Sequence, residues 1–210
     1  MIESKKYIVT GIGTDIGKTV VSAVLCTALN ANYWKPVQAG TEPMTDTQRI
    51  KSLIPEHLKC FEEHMVLRTP MSPHAAAEID GKRLEIGGIK PPPTLMNLII
   101  EGAGGLMVPL NDTHHYLDLL RKWGYPVIVV IRHYLGSINH SLMTINTLQN
   151  AEVPIAGIVY SGEPHLSSES VIESMTGIKV IARIPEMDEV NASGVKGIAE
   201  AIEAELNFLK

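Results

Sequence analysis

The chain has 210 residues, of which 45% are hydrophobic and 20% are charged. This balance supplies enough apolar side chains for a large core and excludes an intrinsically disordered chain. Eighteen Lys and Arg residues stand against 23 Asp and Glu residues, a formal net charge of −5. We therefore expect no nucleic-acid partner, because such a surface needs clustered basic residues. The length favours one domain, residues 1–210, over two small ones.

The sequence also indicates the cellular compartment in which we expect the protein. Its two cysteines, Cys26 and Cys60, are too few for a disulfide framework, which suits a reducing cytoplasm. Residues 1–6 lead into a strand-like segment without the hydrophobic region of a secretory signal. No apolar stretch approaches the ~18 residues of a membrane helix. We expect a cytoplasmic protein with no membrane partner.

Short apolar segments alternate along the chain with segments of helical periodicity. Continuously apolar strands are typical of a parallel sheet that helices cover on both faces. The alternation therefore predicts an α/β, doubly wound fold with a mostly parallel sheet. The predicted strands are residues 7–10, 33–38, 98–100, 126–131, 155–160 and 179–181, and the predicted helices are residues 18–30, 114–123, 137–150, 167–175 and 194–208.

A glycine-rich segment follows the first predicted strand and opens the first predicted helix: Gly11-Ile12-Gly13-Thr14-Asp15-Ile16-Gly17-Lys18-Thr19. Its glycines allow backbone N–H groups to approach phosphate oxygens, and the helix start offers further N–H donors. Lys18 can bridge the β and γ phosphates, and the Thr19 hydroxyl can ligate Mg²⁺. Although one residue longer than the usual pattern, the segment predicts nucleoside triphosphate binding and a fold of P-loop NTPase type.

Four further segments follow this phosphate loop in order. They read Lys35-Pro36-Val37-Gln38-Ala39-Gly40-Thr41-Glu42, Ser72-Pro73-His74, Glu101-Gly102-Ala103-Gly104-Gly105 and Leu135-Gly136-Ser137-Ile138-Asn139-His140. Together with the loop they closely resemble the dethiobiotin synthetase family of biotin biosynthesis, over essentially the whole chain. The resemblance implies a ligase that uses ATP to close the ureido ring from 7,8-diaminononanoate and CO₂, giving dethiobiotin, ADP and phosphate. It also implies Mg²⁺ as cofactor and a homodimer.

The resemblance assigns roles to particular residues. It implies that Lys18 and Lys35 are catalytic, and that Thr19, Asp46 and Glu101 ligate the metal. The implied nucleotide contacts are Gly13, Thr14, Asp15, Ile16, Gly17, Lys18, Thr19, Glu101, Gly102, Ser161 and Pro185. The implied substrate contacts are Thr41, Ser72 and the helix start at Gly136, Ser137, Ile138 and Asn139, which the partner subunit contributes in the family.

The residues alone leave plainer interpretations open. Lys35 could simply end a strand in solvent, and Asp46 could cap a helix, a common arrangement. Ser72 could likewise cap a helix that has Pro73 at its first position, and Ser137 could be an ordinary cap in place of an anion site. Glu101 ends a buried-looking strand, where ligands of α/β proteins bind and where a carboxylate needs a cation.

One departure from the family concerns the nucleobase. Many relatives carry an Asn-Asp pair after the strand that corresponds to residues 155–160, with the Asn at the adenine edge. This chain has Ser161-Gly162 at that point. Readout of adenine would then depend on backbone groups and on Pro185-Glu186, or the protein would accept other triphosphates.

Two rival functions share the phosphate loop. The first is another ATP enzyme, either a cobyrinate-amidating synthetase or a P-loop kinase; the former would typically carry an amidotransferase domain, for which this chain has no room. The second is a nucleotide-switched partitioning ATPase. Such proteins usually have a lysine near the start of the loop, where this chain has Ile12-Gly13-Thr14.

Overall fold

The computed structural model describes residues 4–210; Met1, Ile2 and Glu3, which belong to the predicted N-terminal segment, lie outside the described residues. Within this range the strands are β1 (Lys6–Gly11), β2 (Asn32–Trp34), β3 (Val37–Ala39), β4 (Cys60–Phe61), β5 (Met65–Leu67), β6 (Leu98–Glu101), β7 (Val127–Ile131), β8 (Ile155–Ser161) and β9 (Val180–Ile184). Seven of them form one sheet in the order β4-β2-β6-β1-β7-β8-β9, and every neighbouring pair is parallel. Strands β3 and β5 form a second, two-stranded parallel sheet.

Helices connect these strands across both faces of the large sheet. They are α1 (Lys18–Ala28), α2 (Asp46–Leu53), α3 (Pro73–Ile79), α4 (Tyr116–Trp123), α5 (Ser137–Asn150), α6 (Leu166–Thr176) and α7 (Ala192–Ile202). Helix α1 contacts α2 and α7, whereas α5 contacts α6. The chain crosses from β1 to β2 in one direction and from β7 to β9 in the other, so right-handed crossovers place α1 and α5 on opposite faces. The predicted doubly wound parallel fold is confirmed.

The central strands explain why the phosphate loop lies in the middle of the molecule. All residues of β6 and β7 are buried, as a sheet covered on both faces requires. Strand β1 lies between them, with Val9 paired to Glu101 on one side and to Ile128 on the other. Because all strands of this sheet point the same way, the end of β1 opens at the same edge as the ends of β6 and β7.

Several predicted elements differ in extent from the structure. The strand predicted at residues 33–38 is two strands in different sheets, because Lys35-Pro36 separates β2 from β3 and proline cannot donate a ladder hydrogen bond. The helix predicted at residues 194–208 ends at Ile202, and a 3₁₀ turn follows at Asn207–Leu209. Helix α4 begins at Tyr116 instead of residue 114, because His115 is its cap.

Two of the three possible helix caps named above, Asp46 and Ser72, lie at the starts of α2 and α3. Helix α2 begins at Asp46 behind a capping box: Thr45 Oγ1 accepts from Gln48 N at 3.2 Å, and Gln48 Oε1 accepts from Thr45 N at 2.8 Å. Ser72 precedes α3 and Pro73 opens it, but the Ser72 hydroxyl contacts His74 Nδ1 at 3.0 Å and makes no capping bond. The cap of α2 is therefore Thr45, which leaves the Asp46 carboxylate free for other contacts.

We predict that Thr45→Ala lowers the free energy of unfolding by about 1 kcal/mol, because it removes the side-chain acceptor of the α2 cap. Chemical denaturation measures this change. The matched control is Ser52→Ala, an exposed hydroxyl in the last turn of the same helix, which should shift stability by less than about 0.5 kcal/mol. Equal losses in the two variants would show that the capping box does not stabilise the helix.

Candidate active site

The phosphate loop lies between β1 and α1. Gly17 caps α1 in a left-handed conformation (φ 89°), and a Cβ added there would lie 2.4 Å from Ser161 Oγ. Both observations explain why this position is glycine. Lys18 is buried and donates to the carbonyl of Gly13 at 2.7 Å. The Lys18 ammonium group therefore lies against the backbone of the loop, on the side where phosphates would bind.

The side chains of the loop divide between solvent and core. Thr14 and Asp15 are exposed, whereas Ile16 is buried. A Cβ added at Gly11 would lie 2.1 Å from Ile16 Cδ1, so the isoleucine packs beneath the loop. Ile16 is therefore available to a nucleotide through its backbone only.

The turn after β6 lies against the phosphate loop. A Cβ added at Gly105 would lie 3.4 Å from the carbonyl oxygen of Gly11. Gly102 is buried against Tyr116, and its N–H donates to the carbonyl of Val9 at 2.9 Å. Gly102 therefore shapes the turn that presents Glu101, and its N–H is already bonded.

The side chains of Thr19, Asp46 and Glu101 meet at the start of α1, and each contributes an oxygen atom. Thr19 Oγ1 lies 2.8 Å from Asp46 Oδ1 and 3.0 Å from Glu101 Oε1. Lys35 Nζ donates to Asp46 Oδ2 at 2.6 Å and to Glu101 Oε1 at 3.2 Å. The structure thus brings together four residues that are distant in sequence: Thr19 of the phosphate loop, Lys35 after β2, Asp46 of α2 and Glu101 of β6. Lys35 does not end its strand in solvent, since it is only 6% exposed.

Two supporting residues were not identified from the sequence. Tyr33 donates its hydroxyl to Glu101 Oε2 at 3.0 Å. Gln38 accepts from the Asp46 N–H at 3.2 Å through Oε1 and donates to the Gly40 carbonyl at 2.8 Å through Nε2. The Tyr33 bond therefore orients the Glu101 carboxylate, whereas the Gln38 bonds hold the backbone at the start of α2. Gln38 lies inside the segment that begins at Lys35, so its position in that motif was the available signal.

The charged groups in this cluster shift one another's pKa values. Burial disfavours the charged form of Lys35, but the Glu101 and Asp46 carboxylates outweigh it and raise the pKa of Lys35. Burial acts to raise the pKa of Asp46, yet the Lys35 charge and the bonds from Lys35 and Thr19 lower it. The cluster is consequently an ion pair network in which the lysine is protonated.

The donor set of the cluster fits a magnesium ion. Mg²⁺ prefers oxygen ligands, and the hydroxyl of Thr19 and the carboxylates of Asp46 and Glu101 provide only oxygens. Among residues 4–210 no group of three or more His, Cys, Asp or Glu is placed to hold a metal. A site here would thus have only two carboxylates, and Mg²⁺ usually completes such a shell with water and substrate phosphates.

The predicted substrate contacts lie on two further turns. Thr41 follows β3, and a Cβ added at Gly40 would lie 3.1 Å from Pro70, two residues before Ser72. The pairing of Ala39 with Leu67 holds these turns side by side. Both side chains are partly exposed, so they are open to a small molecule.

The helix start that the resemblance implies as a substrate contact lies next to the phosphate loop. Gly136 caps α5 with a φ of 100°, Ser137 is buried, and Ile138 and Asn139 are exposed. A Cβ added at Gly13 would lie 4.0 Å from the hydroxyl of Tyr134, in the segment that leads into α5. Gly136, and not Ser137, is therefore the cap residue.

The two residues predicted at the nucleobase differ in accessibility. Ser161 is buried at the end of β8 against Gly17, and Pro185 is exposed beyond the end of β9. The structure therefore places Ser161 beside the loop that would hold the phosphates, while Pro185 lies farther out.

The fold and the site together define a P-loop nucleotide-dependent enzyme. A family model described as an AAA domain matches residues 5–193. The chain is 48% identical over 197 residues to an ATP-dependent dethiobiotin synthetase of Christiangramia forsetii, covering 93% of this chain and 95% of the relative. A synthetase of the same name from Cytophaga hutchinsonii is 44% identical, with the same coverage. The chain belongs to the dethiobiotin synthetase family, whose members are ATP-dependent ligases.

Solved structures of lower sequence similarity share the fold. The cell division ATPase MinD of Pyrococcus furiosus superposes with a TM-score of 0.60 at 14% identity, covering 100% of both chains. A ParA family ATPase from Chlorobium tepidum gives a TM-score of 0.51 at 11% identity, covering 98% of this chain and 92% of its own. At these identities the likeness shows the P-loop fold alone. No helix in residues 4–210 has the length and apolar character needed to cross a membrane.

We predict that affinity for ATP falls as pH rises above about 8. Burial lowers the pKa of Lys18 to about 8; the Glu101 charge partly offsets this effect, and the nearby Lys35 charge adds to it. The free protein must therefore take up a proton on Lys18 to bind polyphosphate at higher pH, which costs up to about tenfold in affinity per pH unit. Isothermal titration calorimetry from about pH 7 to about pH 9.5 measures the profile.

The control for this experiment is Lys18→Gln, which should bind ATP more weakly and with little dependence on pH over the same range. A wild-type profile as flat as that of the variant would contradict the assignment of the titration to Lys18.

Proposed function

We propose that the protein forms dethiobiotin from 7,8-diaminononanoate, CO₂ and ATP, releasing ADP and phosphate. One observation supports this above the others: buried Lys35 lies between Asp46 and Glu101 at the end of the phosphate loop, bonded to both. The similarity to dethiobiotin synthetases over 93% of the chain supports the choice of substrate. A partitioning ATPase would usually have a lysine near the start of the loop, where this chain has Ile12-Gly13-Thr14.

The reaction requires charge neutralisation more than covalent chemistry by the protein. One amine of the diamine takes up CO₂ to form a carbamate, whose oxygen attacks the γ-phosphorus while ADP leaves. The second amine then attacks the carbonyl carbon of the carbamic–phosphoric anhydride, and phosphate leaves with its bonding pair. In both steps anionic oxygens crowd together, so the enzyme must align the reactants and balance their charge.

We assign these tasks to two lysines. Lys18 would leave the Gly13 carbonyl and meet the β and γ phosphates, and Lys35 would meet the carbamate and transferred phosphoryl oxygens. Thr19, Asp46 and Glu101 would hold Mg²⁺, which, when bound, supplies further positive charge at the phosphates. The protonated state of Lys35, maintained by the two carboxylates, keeps its charge available for this role.

We propose that a homodimer completes the site. The start of α5 offers backbone N–H groups after Gly136, which suits the tail carboxylate of the diamine. Large apolar side chains are exposed around it: Leu135 is 103% exposed, and Tyr134, Ile138 and Met143 are exposed in part. Such a patch on a folded protein is typical of an interface. The partner's helix start would then face the substrate.

Two broader features accompany this proposal. We propose that residues 1–210 act as one synthetase domain, since one large sheet carries the cluster, the phosphate loop and the helix start of α5. We also propose that the enzyme works in the cytoplasm, which supplies ATP and keeps Cys26 and Cys60 as free thiols.

The direct test is a mass-spectrometric assay for dethiobiotin with purified protein, diaminononanoate, bicarbonate, Mg²⁺ and ATP. Phosphate release is measured in parallel with each substrate omitted. We expect dethiobiotin only in the complete mixture, and phosphate release that depends on the diamine and on bicarbonate. Phosphate release that ignores both compounds would instead indicate a switch ATPase.

We predict that Lys35→Ala lowers kcat by about 10²- to 10³-fold while the Kd for ATP changes by less than about threefold. The asymmetry is expected because Lys35 acts on charge that develops during the reaction. Lys51→Ala, an exposed lysine of α2, serves as the control and should behave as wild type. Circular dichroism shows whether both variants are folded, and wild-type kcat in Lys35→Ala would refute the assigned role.

We predict that Leu135→Asp weakens self-association by at least about tenfold, because it places a charge in the apolar interface. Equilibrium sedimentation measures association, and the dethiobiotin assay is run on the same samples. Leu95→Asp is the matched control, since Leu95 is 98% exposed and lies away from the α5 start in sequence. A wild-type protein that sediments as a monomer and forms dethiobiotin at full rate would refute the shared site.

A further inference from the structure

An ion pair lies at the edge of the sheet beyond the phosphate loop. Its acidic member, Glu186, belongs to the segment expected to contact the base, whereas Arg132 has no role so far. Arg132 follows β7, Gly162 follows β8, and Glu186 lies beyond the end of β9. Arg132 Nη2 donates to Glu186 Oε2 at 2.6 Å. A Cβ added at Gly162 would lie 3.1 Å from Glu186 Oε2 and 3.4 Å from Arg132 Cζ. The two side chains therefore meet directly over the glycine backbone.

The lysine–carboxylate cluster determines the direction in which a nucleotide would extend. Lys35 follows β2 and Glu101 ends β6, so the terminal phosphate belongs on that side of β1. The nucleoside then extends to the other side, over the carboxyl ends of β7, β8 and β9. The contact of Ser161 with Gly17 brings the end of β8 against the loop. In this direction the Arg132–Glu186 pair lies over Gly162, the residue that follows Ser161.

The order of the strands also determines which of the two charged residues lies nearer to the phosphate loop. From the phosphate loop outward the sheet runs β1-β7-β8-β9, so Arg132 arises nearer the phosphates and Glu186 farther from them. The group on C6 of a purine or C4 of a pyrimidine is on the side of the base away from the sugar. Glu186 is consequently the residue placed to meet that group, and Arg132 is placed to meet the ring.

Resting on the proposed function, we propose that Glu186 selects nucleoside triphosphates whose base carries an amino group on purine C6 or pyrimidine C4, with Arg132 as its positioning residue. Arg132 engages Oε2, and the bonds found among residues 4–210 leave Oε1 free to accept. Adenine and cytosine present an N–H donor at this position, whereas keto bases present an oxygen that a carboxylate repels. Because 39% of the Arg132 and 49% of the Glu186 side chain is exposed, we expect a moderate preference of about tenfold.

The absence of a side chain at Gly162 is part of this arrangement. Its φ of 92° lies in the left-handed region that favours glycine, and its lack of a Cβ leaves room for the pair above it. Here the polar groups come from the flanking strands β7 and β9 and meet in the middle.

The test compares two pairs of nucleotides that differ in the exocyclic group and the adjoining ring nitrogen: ATP with ITP, and CTP with UTP. Dissociation constants are measured by isothermal titration calorimetry with Mg²⁺ for wild type, Glu186→Gln and the control Glu189→Gln, an exposed residue of the same loop. We expect about tenfold tighter binding of the amino member of each pair in wild type. The ratio should fall below about threefold in Glu186→Gln, because an amide can also donate to a keto oxygen. It should stay unchanged in Glu189→Gln.

Two results would overturn the inference. The first is a wild-type ratio near one, or a ratio in favour of the keto bases. The second is a Glu186→Gln protein that binds all four nucleotides more weakly at unchanged ratios, which is the outcome of a purely structural ion pair. The dethiobiotin assay separates this inference from the proposed function: equal use of all four triphosphates refutes base selection alone, whereas selective binding without dethiobiotin formation refutes the proposed reaction alone.

Discussion

The buried ammonium of Lys35, held between the carboxylates of Asp46 and Glu101, is the interaction on which the site depends. Lys35 is 6% exposed and Glu101 is 1% exposed, so neither charge has enough water around it to stand alone. A buried charge is tolerated only when it is paired and hydrogen-bonded. Tyr33 adds a hydrogen bond to the Glu101 carboxylate, and Gln38 accepts from the backbone N–H of Asp46. The charge balance thus fixes where three separate parts of the chain must meet.

The parallel sheet is what makes that meeting possible. Because neighbouring strands run in the same direction, their carboxyl ends gather at one edge, and short connections there can place side chains from distant segments together. Glu101 arrives at the end of β6, Lys35 just after β2, and the phosphate loop at the end of β1. Helix α2 adds Asp46 through its capped first turn. A fold of this kind hosts many functions, and the cluster is the feature that separates this chain from a simple phosphate-binding protein.

The sequence predicted the parts of the structure that local pattern determines. Strand β7 and the first three residues of β6 are apolar and buried, and the glycine-rich loop places its glycines next to Lys18 and Thr19 in one short segment, so both were found. Strands β4 and β5 have two and three residues, too few for a periodicity to be seen. The bond from Tyr33 to Glu101 joins residues 68 positions apart, and the Arg132–Glu186 pair spans 54. Such pairings arise from tertiary folding, so the pattern of a single sequence segment does not predict them.

The two-residue connection between β2 and β3 has a consequence for how the chain can vary in length. Lys35 and Pro36 form the whole of this connection, which joins the large sheet to the small one. One residue inserted between β2 and Lys35 would turn the lysine to the opposite face, because side chains alternate along an extended backbone. Insertions and deletions during evolution should consequently accumulate elsewhere, in segments such as residues 80–97, where neither strand nor helix constrains the backbone.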